Sequence, residues 1–599
     1  MAKGNISVNS ENIFPIIKKW LYSDKDIFLR ELVSNACDAI TKIKKLSGIG
    51  EAELGDEALR IDITCDEEAN TLTISDNGIG MTAEEIDKYI TQIAFSGAND
   101  FLEKYKDEKN PDQIIGHFGL GFYSAFMVAD KVEIDSLSYM PGAKPAKWVC
   151  EGGLEYEMTE GQRTSRGTTI VLHLGEDGKE YKNEFEVRSI LNKYCSFMPV
   201  EIYLNGAKGE EEPKPINDTN PLWMKKPSEC TDEQYKEFYT KVFMDFNEPL
   251  FWIHLNVDYP FRLKGILYFP KINHEFSINE GQIKLFNNQV FVADNVKEVI
   301  PEFLMLLKGV IDCPDLPLNV SRSFLQNDGY VKKISAHITK KVADKLSGIY
   351  KNDRESYNKY WDDINIFIKY GCMRDEKFYD KIKDILIYKT TDGEYITLDE
   401  YSAGKEKKDI YYTSDKNSQS QYINLFAEQS IKVIELSTVM DTQFMSFMEM
   451  KNPDIKFKRV DSNVSDLSSE QSTDENWDKL IETVKKSVPE ETKIEAKALK
   501  NTSIPAIILL GEESRRMQEI YKAYGQQMAA MAGMFKDEYT LVLNTENNLI
   551  KKLPELSEED AKLVSDHIYD LAMLCNKPLA AEQMTKFIER SNMIMEKII

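Results

Sequence analysis

Two polar stretches interrupt the chain and argue against a single compact core. The first, AKGEEEPKPINDTN, combines charge with two prolines and offers little to bury. The second, DSNVSDLSSEQSTDEN, is rich in serine and acids. A length of 599 residues suits several domains. We therefore predict domains at 1–206, 221–460 and 476–599, joined by linkers at 207–220 and 461–475.

Charge and cysteine usage exclude several functional classes. Lys+Arg 75 against Asp+Glu 100 gives a net charge of -25, which repels nucleic acids and anionic membranes. Eight cysteines lie far apart, with no C-x-x-C pair, and are therefore predicted to be reduced thiols. The longest apolar stretches, such as IPAIILL at 504–510, are too short to span a bilayer. We predict a cytoplasmic protein that binds neither nucleic acid nor membrane.

The segment DKDIFLRELVSNACDAITKIKK (24–45) is patterned as an amphipathic helix. Its apolar residues recur at helical spacing: Leu32, Ala36, Ala39, Ile40 and Ile43. Glu31, Asn35 and Asp38 fall at i, i+4 and i+7 on another face, so three polar groups point the same way. The pattern alone leaves open a solvated face or a functional one.

Two glycine-containing segments follow this helix. TLTISDNGIGM (71–81) predicts a strand that ends at Asp76 and two glycines, where backbone can approach a ligand closely. IIGHFGLGFYSAFMVAD (114–130) places three glycines directly before a helical run, an arrangement typical of anion sites. Neither the P-loop nor the Rossmann pattern is met. A tight turn remains the alternative for the first segment.

In this order and spacing, the three segments resemble the Bergerat (GHKL) ATPase fold. Within that group the chain is more similar to the ninety-kilodalton heat-shock protein chaperones, especially their bacterial members. RGTTIVLHL, PLWMKKPSECTDEQYKEFY, LKGILYFP, DLPLNVSRSFLQND and the final helix pair extend the resemblance over nearly the whole chain. It implies an α/β multidomain protein with an N-terminal two-layer α/β sandwich, an α/β middle domain and a mostly helical C-terminal dimerisation domain.

The resemblance also implies roles for individual residues. Glu31 matches the general base that activates the attacking water, and Asn35 matches the residue that holds Mg²⁺ with the nucleotide. Asp76 matches the acid that binds the adenine amino group of ATP. Arg322 and Gln326 match a catalytic loop that reaches the γ-phosphate from the middle domain. Further nucleotide contacts are implied for Asp38, Gly80, Met81, Gly119, Gly121, Phe122 and Thr168.

The same resemblance predicts a lid that closes over ATP between about Thr91 and Gly121, with Ser96 and Gly97 inside it. His117, Ala98 and Asn99 depart from the residues more usual in the family. We expect these differences to alter lid contacts and leave their effect on closure open.

Partners are predicted for three regions. Trp223 resembles a client-contacting aromatic residue of the family. The helical pattern at 526–535 presents a stripe suited to adaptable apolar contacts. Such a stripe is more commonly ordinary core, and its position resembles the client-contacting segment of the family's last domain. That stripe consists of Met528, Met531, Met534 and Phe535. Helical patterns at 558–575 and 580–598 cannot bury their apolar faces alone and predict a homodimer through a four-helix bundle. Unfolded client proteins and other bacterial chaperones are the partners that the resemblance implies.

These expectations converge on an ATP-dependent molecular chaperone with cofactors ATP and Mg²⁺. The alternative is a DNA-linked ATPase of the MutL or gyrase B type, which the acidic charge and the SRSFLQ loop disfavour. Two further candidate classes share the nucleotide fold: a histidine kinase and a nucleotide-gated scaffold without turnover.

Overall fold

A computed structural model describes most of the chain between residues 24 and 597. The described residues are 24–92, 95, 97–104, 114–116, 119–152, 155–205, 214–271, 282–295, 299–305, 307–316, 318, 328–404, 408–462, 467–468, 477–511, 516, 539–576 and 579–597. The chain divides into two compact units, 1–342 and 343–599. Within the described ranges, no helix is long and apolar enough to cross a membrane. The predicted domain boundaries stay a prediction.

The first unit begins with helices and strands that alternate along the chain. Its helices are α1 Ile27–Gly48, α2 Ala83–Tyr89, α3 Gly97–Lys104, α4 Glu184–Tyr194 and α5 Asp232–Phe243, and α6 Asp328–Asn352 continues into the second unit. Its strands are β1 Arg60–Asp66, β2 Thr71–Asp76, β3 Ala129–Leu137, β4 Ala146–Glu151, β5 Glu155–Glu160, β6 Gly167–Leu174, β7 Glu201–Asn205, β8 Phe251–Val257, β9 Leu263–Phe269, β10 Ile283–Asn287, β11 Val290–Asp294 and β12 Lys308–Asp312.

The N-terminal strands form one seven-stranded sheet in the order β5-β4-β3-β6-β2-β1-β7. All neighbours are antiparallel except β1 and β7, which run parallel. Inward-facing residues alternate along the strands, as the buried Val132 and Ile134 of β3 do. Helix α1 contacts β2 and α4, and its apolar stripe shares one core with the sheet. This layered arrangement confirms the predicted α/β sandwich.

Helix α1 matches the predicted amphipathic segment, and it is buried on more than its apolar side. Leu32, Ala36 and Ile40 lie in the core as expected, but Glu31 and Asp38 are also almost inaccessible to solvent. Charged residues are rarely buried without partners, so the polar face of this helix has a role other than contact with solvent. That finding decides against the solvated-face interpretation.

A second sheet of the first unit has the order β11-β10-β12-β9-β8. Strands β10 and β12 are parallel and the other pairs antiparallel. The segment FRLKGILYFP (261–270), which is patterned as a strand, contains β9, and KKISAHITKKVADKL (332–346), which is patterned as a helix, lies inside α6. Both patterns therefore agree with the observed elements.

The second unit contains short sheets and helices. Its helices are α7 Arg354–Arg374, α8 Glu376–Ile382, α9 Leu398–Ser402, α10 Ser420–Glu428, α11 Val439–Lys451, α12 Asp478–Lys485, α13 Asn548–Lys552, α14 Glu558–Leu574 and α15 Ala581–Glu596. Its strands are β13 Ile387–Lys389, β14 Tyr395–Thr397, β15 Lys408–Thr413, β16 Ile434–Glu435, β17 Ile455–Arg459, β18 Lys493–Lys497, β19 Ala506–Leu510 and β20 Tyr539–Asn544. The sheets are β13-β14, β16-β15-β17 and β18-β20-β19. Helices α14 and α15 confirm the two amphipathic patterns predicted at the end of the chain.

Candidate functional site

A cavity of about 390 Å³ lies between helix α1, the ends of β2 and β6, helix α3 and the glycine-rich segment. Every residue predicted for the N-terminal nucleotide site lines it: Glu31, Asn35, Asp38, Asp76, Gly80, Met81, Gly119, Gly121, Phe122 and Thr168. These residues come from four separate parts of the sequence. Their convergence on one cavity supports the ligand-site interpretation of the glycine segments over that of isolated turns.

The Glu31 carboxylate is held by the neighbouring Arg30. The Arg30 guanidinium donates to Oε1 of Glu31 through Nη2 at 2.9 Å and through Nε at 3.2 Å, and both side chains are buried. Arg30 also lies over the Tyr194 ring, 5.6 Å from its centroid. A buried carboxylate with a fixed orientation at a cavity wall suits a general base.

Asp38, about two turns further along α1, fastens the glycine-rich segment. Its Oδ1 and Oδ2 accept from the amides of Ile115 and Gly116, each at 2.7 Å. Charge-assisted hydrogen bonds of this kind are stronger than neutral ones. Asn35 also lines the cavity, and its amide oxygen is the kind of hard donor that Mg²⁺ accepts.

Asp76 ends β2 and places a buried carboxylate in the same cavity. Its Oδ1 accepts from the Gly78 amide at 2.8 Å, and the Thr168 amide also donates to it. Burial raises the pKa of Asp76 to about 6, although these amides and the Arg163 guanidinium oppose the rise. Below about pH 6 the carboxylate therefore takes up a proton and becomes a weaker acceptor.

Glycine is required at two walls of the cavity. Gly80 has φ +62, and a Cβ there would lie 1.9 Å from the Leu137 carbonyl oxygen. Gly119 has φ +64, and its Cβ would lie 2.5 Å from the Phe95 carbonyl oxygen. Side chains are thus excluded by both conformation and space, which lets backbone line the cavity directly.

Gly121 gives a test of the Glu31 assignment. A Cβ on Gly121 would lie 2.8 Å from Oε2 of Glu31, so Gly121→Ala should displace the carboxylate. We expect steady-state ATP hydrolysis to fall about 10- to 100-fold, because small misplacements of catalytic groups are costly. Gly48→Ala is the matched control, since nothing lies within 4 Å of its Cβ position. Equal rates for the two variants would contradict the assignment.

The predicted helical run after Gly121 proves to be a seven-residue 3-10 helix, Gly121–Met127, rather than an α-helix. Only a few residues separate the glycines from β3, and Phe122 and Phe126 turn into the core. The Ser124 hydroxyl donates to the Gly121 carbonyl at 2.6 Å within this turn. The prediction of an anion site at the N-terminus of an α-helix is therefore wrong about the type of helix. The backbone amides of the glycines remain candidates to donate hydrogen bonds to phosphate oxygens.

Helix α3 lies in the predicted lid and is tied to the cavity wall. Asp100 accepts from Lys88 Nζ at 2.6 Å and from the Tyr89 hydroxyl at 3.2 Å. The ammonium groups of Lys42 and Lys45 each lie 5.8 Å from the Phe101 ring centroid. These contacts join α3 to α1 and α2.

Two lysines that the sequence patterns did not single out, Lys42 and Lys104, also line the cavity. Burial lowers the pKa of Lys42, while the Asp38 carboxylate works against that change. Lys42 continues the polar stripe of α1, four residues after Asp38, so the helical spacing was a signal that could have found it. Lys104 has no comparable signal.

Several predicted residues lie outside the described part of the chain: Ser96, His117, Arg322, Gln326, Met528, Met531, Met534 and Phe535. Trp223 is described and is fully buried. Its ring packs against Phe197 at 4.6 Å and Phe286 at 5.1 Å between centroids, and its Nε1 lies 3.5 Å from Oδ2 of Asp312. A buried indole contacts no client protein unless this core opens, so its burial does not support the client role expected for it.

Comparisons with known proteins give a consistent result. A family model described as "Hsp90 protein" matches residues 207–599, and one described as "Histidine kinase-, DNA gyrase B-, and HSP90-like ATPase" matches residues 24–143. The "Chaperone protein HtpG" of Bacteroides thetaiotaomicron is 47% identical over 590 residues, covering 94% of this chain and 85% of the relative. The Porphyromonas gingivalis W83 protein of that name is 42% identical, covering 94% and 89%. The Pasteurella multocida protein is 32% identical, covering 96% of both chains.

Proposed function

The chain belongs to the Hsp90 family of ATP-dependent chaperones, and we propose how its own residues bind ATP, hydrolyse it and join two copies into a clamp. One observation carries the proposal: the predicted nucleotide residues, from four separate parts of the sequence, line a single cavity that holds three buried carboxylates, Glu31, Asp38 and Asp76. Sites for small ligands are typically of this kind.

Asp76 is proposed to recognise the base. Its buried carboxylate accepts from the adenine amino group, and Thr168 lies beside it on β6, where its hydroxyl is hydrogen-bonded to Ser136 at 2.8 Å. A guanine presents a carbonyl oxygen at the position of that amino group, which would leave Asp76 facing another acceptor. Sites of this type discriminate strongly because the wrong ligand leaves buried polar groups unpaired.

Glu31 and Asn35 are proposed to act at the phosphate end of the nucleotide, Glu31 on the attacking water and Asn35 on Mg²⁺. Asn35 offers an amide oxygen to Mg²⁺ at the wall where Glu31 and Asp38 also lie, so the residues present fit the ion. Bound Mg²⁺ supplies charge neutralisation for the transferring phosphoryl group. Glu31 takes the proton of the attacking water, while the amides of Gly119 and Gly121 donate to the terminal phosphates.

Arg322 and Gln326 are proposed to complete the catalytic set from the middle part of the chain. An added guanidinium near the γ-phosphate would stabilise the charge of the transition state. Hydrolysis would then depend on a domain movement that brings this loop to the nucleotide. The support for this step is the resemblance of NVSRSFLQ to the family's catalytic loop.

Homodimerisation through α14 and α15 is proposed from their exposed apolar residues. The two helices pack on each other, with the His567 and Phe587 rings stacked at 4.7 Å, yet α15 has no buried residue within its described range. Ile588 is 52% exposed, Met595 52% and Leu571 40%. A second copy would cover this surface and form the predicted four-helix bundle.

A point variant tests the dimer without removing the helices. Ile588→Glu introduces a charge into the proposed interface, and we expect monomers by light scattering at concentrations where the wild type is dimeric. Lys586→Glu, which adds a carboxylate on the other side of α15, should stay dimeric. A dimeric Ile588→Glu protein would contradict the proposed interface.

The chaperone cycle is tested with an unfolding client. Chemically denatured protein diluted into the full chain should aggregate less than in buffer, and Mg²⁺-ATP should change the degree of protection. Identical protection with and without nucleotide would contradict the coupling. The clients are expected to be unfolded or partly folded proteins, and other bacterial chaperones are further proposed partners.

A cytoplasmic location is proposed from the thiol chemistry. All eight cysteines are free, and burial raises the pKa of the Cys195 thiol to about 12, which keeps it unreactive. Unpaired thiols of this kind suit a reducing compartment.

A further inference from the structure

Two arginines outside the predicted site hold the backbone that carries Asp76. Both lie in the loop between β5 and β6, and neither lines the cavity. Arg163 Nη2 donates to the Asp76 carbonyl at 3.1 Å, and its Nη1 donates to the Ser75 hydroxyl at 3.2 Å. Arg166 Nη1 donates to the carbonyls of Asn77 and Gly78, the latter at 3.4 Å.

These contacts form a continuous set along the turn. Three successive carbonyls, those of Asp76, Asn77 and Gly78, accept from the two guanidinium groups. Arg166 Nη2 also donates to the Leu54 carbonyl at 2.9 Å, which ties the turn to the segment after α1. A planar group with several donors is suited to reach acceptors on both sides in this way.

The rest of the turn is fixed by α1. The Ile79 amide donates to the Ala39 carbonyl at 3.0 Å, and a Cβ on Gly78 would lie 2.6 Å from the Ala39 carbonyl carbon. The turn is thus held on one side by the helix that carries Glu31 and on the other by the two arginines. The position of this turn therefore sets where the Asp76 carboxylate lies.

We propose that Arg166, assisted by Arg163, is a positioning residue for base recognition: it fixes the Asp76–Gly78 turn so that the Asp76 carboxylate meets adenine. The inference rests on the proposed function, since it assumes that Asp76 binds the base. It extends that function to residues that do not touch the nucleotide.

The charge of the arginines gives a second consequence. The groups that face Asp76 are the Arg163 and Arg166 guanidiniums from the loop and the Cys37 thiol from α1. The two positive charges hold the pKa of Asp76 lower than burial alone would leave it. Removal of one charge should therefore raise that pKa and move the acidic limit of nucleotide binding to higher pH.

Calorimetric titration of the full chain with ADP and with GDP, at several pH values, tests the proposal. Arg166→Gln should weaken ADP binding about 10- to 100-fold, the range expected when charge-assisted hydrogen bonds are lost. It should also reduce the preference for ADP over GDP and raise the pH at which ADP binding is half lost. Arg166→Lys keeps the positive charge but lacks the several N–H donors of the guanidinium. The pH at which ADP binding is half lost should therefore stay near that of the wild type, while the preference for ADP over GDP should still fall.

Arg188→Gln is the matched control, because Arg188 pairs with Glu184 on the half-exposed face of α4 at 2.6 Å and does not line the cavity. It should bind both nucleotides as the wild type does. If Arg166→Gln fails to fold, Arg163→Gln decides in its place. Arg166→Gln protein with an unchanged ADP-to-GDP ratio would overturn the positioning role, even if both affinities fall together. A wild type that binds GDP as well as ADP would instead overturn the assignment of Asp76.

Discussion

Replacement of Asp76 by asparagine is expected to abolish nucleotide binding, with ADP affinity reduced about 10³-fold or more. Asparagine keeps one acceptor oxygen, and the Gly78 amide donates to that position, so the amide nitrogen would face the adenine amino group and two donors would meet in a buried site. Isothermal titration calorimetry with ADP measures the effect directly. Normal ADP affinity in this variant would remove Asp76 from base recognition.

The same variant should remain folded, and its stability gives an internal control. The pKa of Asp76 is about 6 in the folded protein and about 3.9 in an unfolded chain. A raised carboxyl pKa contributes stability that is present below about pH 4 and is lost as the pH rises through 6. Asparagine has no charge to bury, so Asp76→Asn should be more stable than the nucleotide-free wild type at pH 7.5, by up to about 3 kcal/mol.

A thermal melt at pH 7.5 and at pH 4 checks this sign. The difference in melting temperature between variant and wild type should shrink at the lower pH, because Asp76 is then protonated. A variant less stable than the wild type at both pH values would show that the carboxylate supports the fold, and loss of binding could not then be attributed to base recognition alone.

Replacement of Glu31 should stop hydrolysis while leaving binding intact. A general base contributes about 10²- to 10⁴-fold in rate, and Glu31→Gln keeps the shape of the side chain without its basicity. Single-turnover hydrolysis and ADP titration together separate the two steps. A Glu31→Gln protein that hydrolyses ATP at the wild-type rate would show that another group activates the water.

Glu31→Ala should be equally inactive but less stable. It removes the carboxylate that pairs with the buried Arg30, and loss of one partner of a buried ion pair costs about 3–5 kcal/mol. Glu31→Gln also loses the charge, but its amide oxygen can still accept from the Arg30 guanidinium, so it should lose less stability than Glu31→Ala and is the better catalytic probe. The difference in melting temperature between the two variants measures what the retained hydrogen bonds and side-chain volume contribute.

The sequence predicted the cavity better than it predicted how the cavity is held. Glu31, Asn35 and Asp38 could be found because helical periodicity places them on one face. Arg163 and Arg166 could not, since QRTSRG looks like a solvated loop and their acceptors at Asp76 and Asn77 are 87 and 89 residues away. Contacts between residues so far apart in the sequence depend on the order of strands in the sheet, which local sequence patterns do not determine.

Two further features were ambiguous in the sequence. The segment after Gly121 carries the aromatic residues of a buried helix, and over Gly121–Met127 its backbone takes the tighter 3-10 form. Trp223 looked suited to an apolar partner; its ring packs against Phe197 and Phe286 in the core, and its contact with client proteins stays a prediction. Aromatic residues are ambiguous in this way because burial and binding use the same surfaces.

The choice between chaperone and DNA-linked ATPase did not depend on the nucleotide cavity. Both classes share the fold of the first domain, so the residues after it had to decide. The match of the Hsp90 family model to 207–599 assigns that part to the chaperone branch, in agreement with the net charge of -25.

Steady-state ATP hydrolysis by the wild type and by Arg322→Ala, each measured over a range of protein concentration, tests the dimeric clamp with a catalytic middle domain. We expect wild-type activity per chain to fall on dilution as dimers separate. We also expect Arg322→Ala to bind ATP but to turn it over slowly at every concentration. If dilution and the Arg322 substitution both leave the rate unchanged, the cavity still hydrolyses ATP, but the clamp is contradicted.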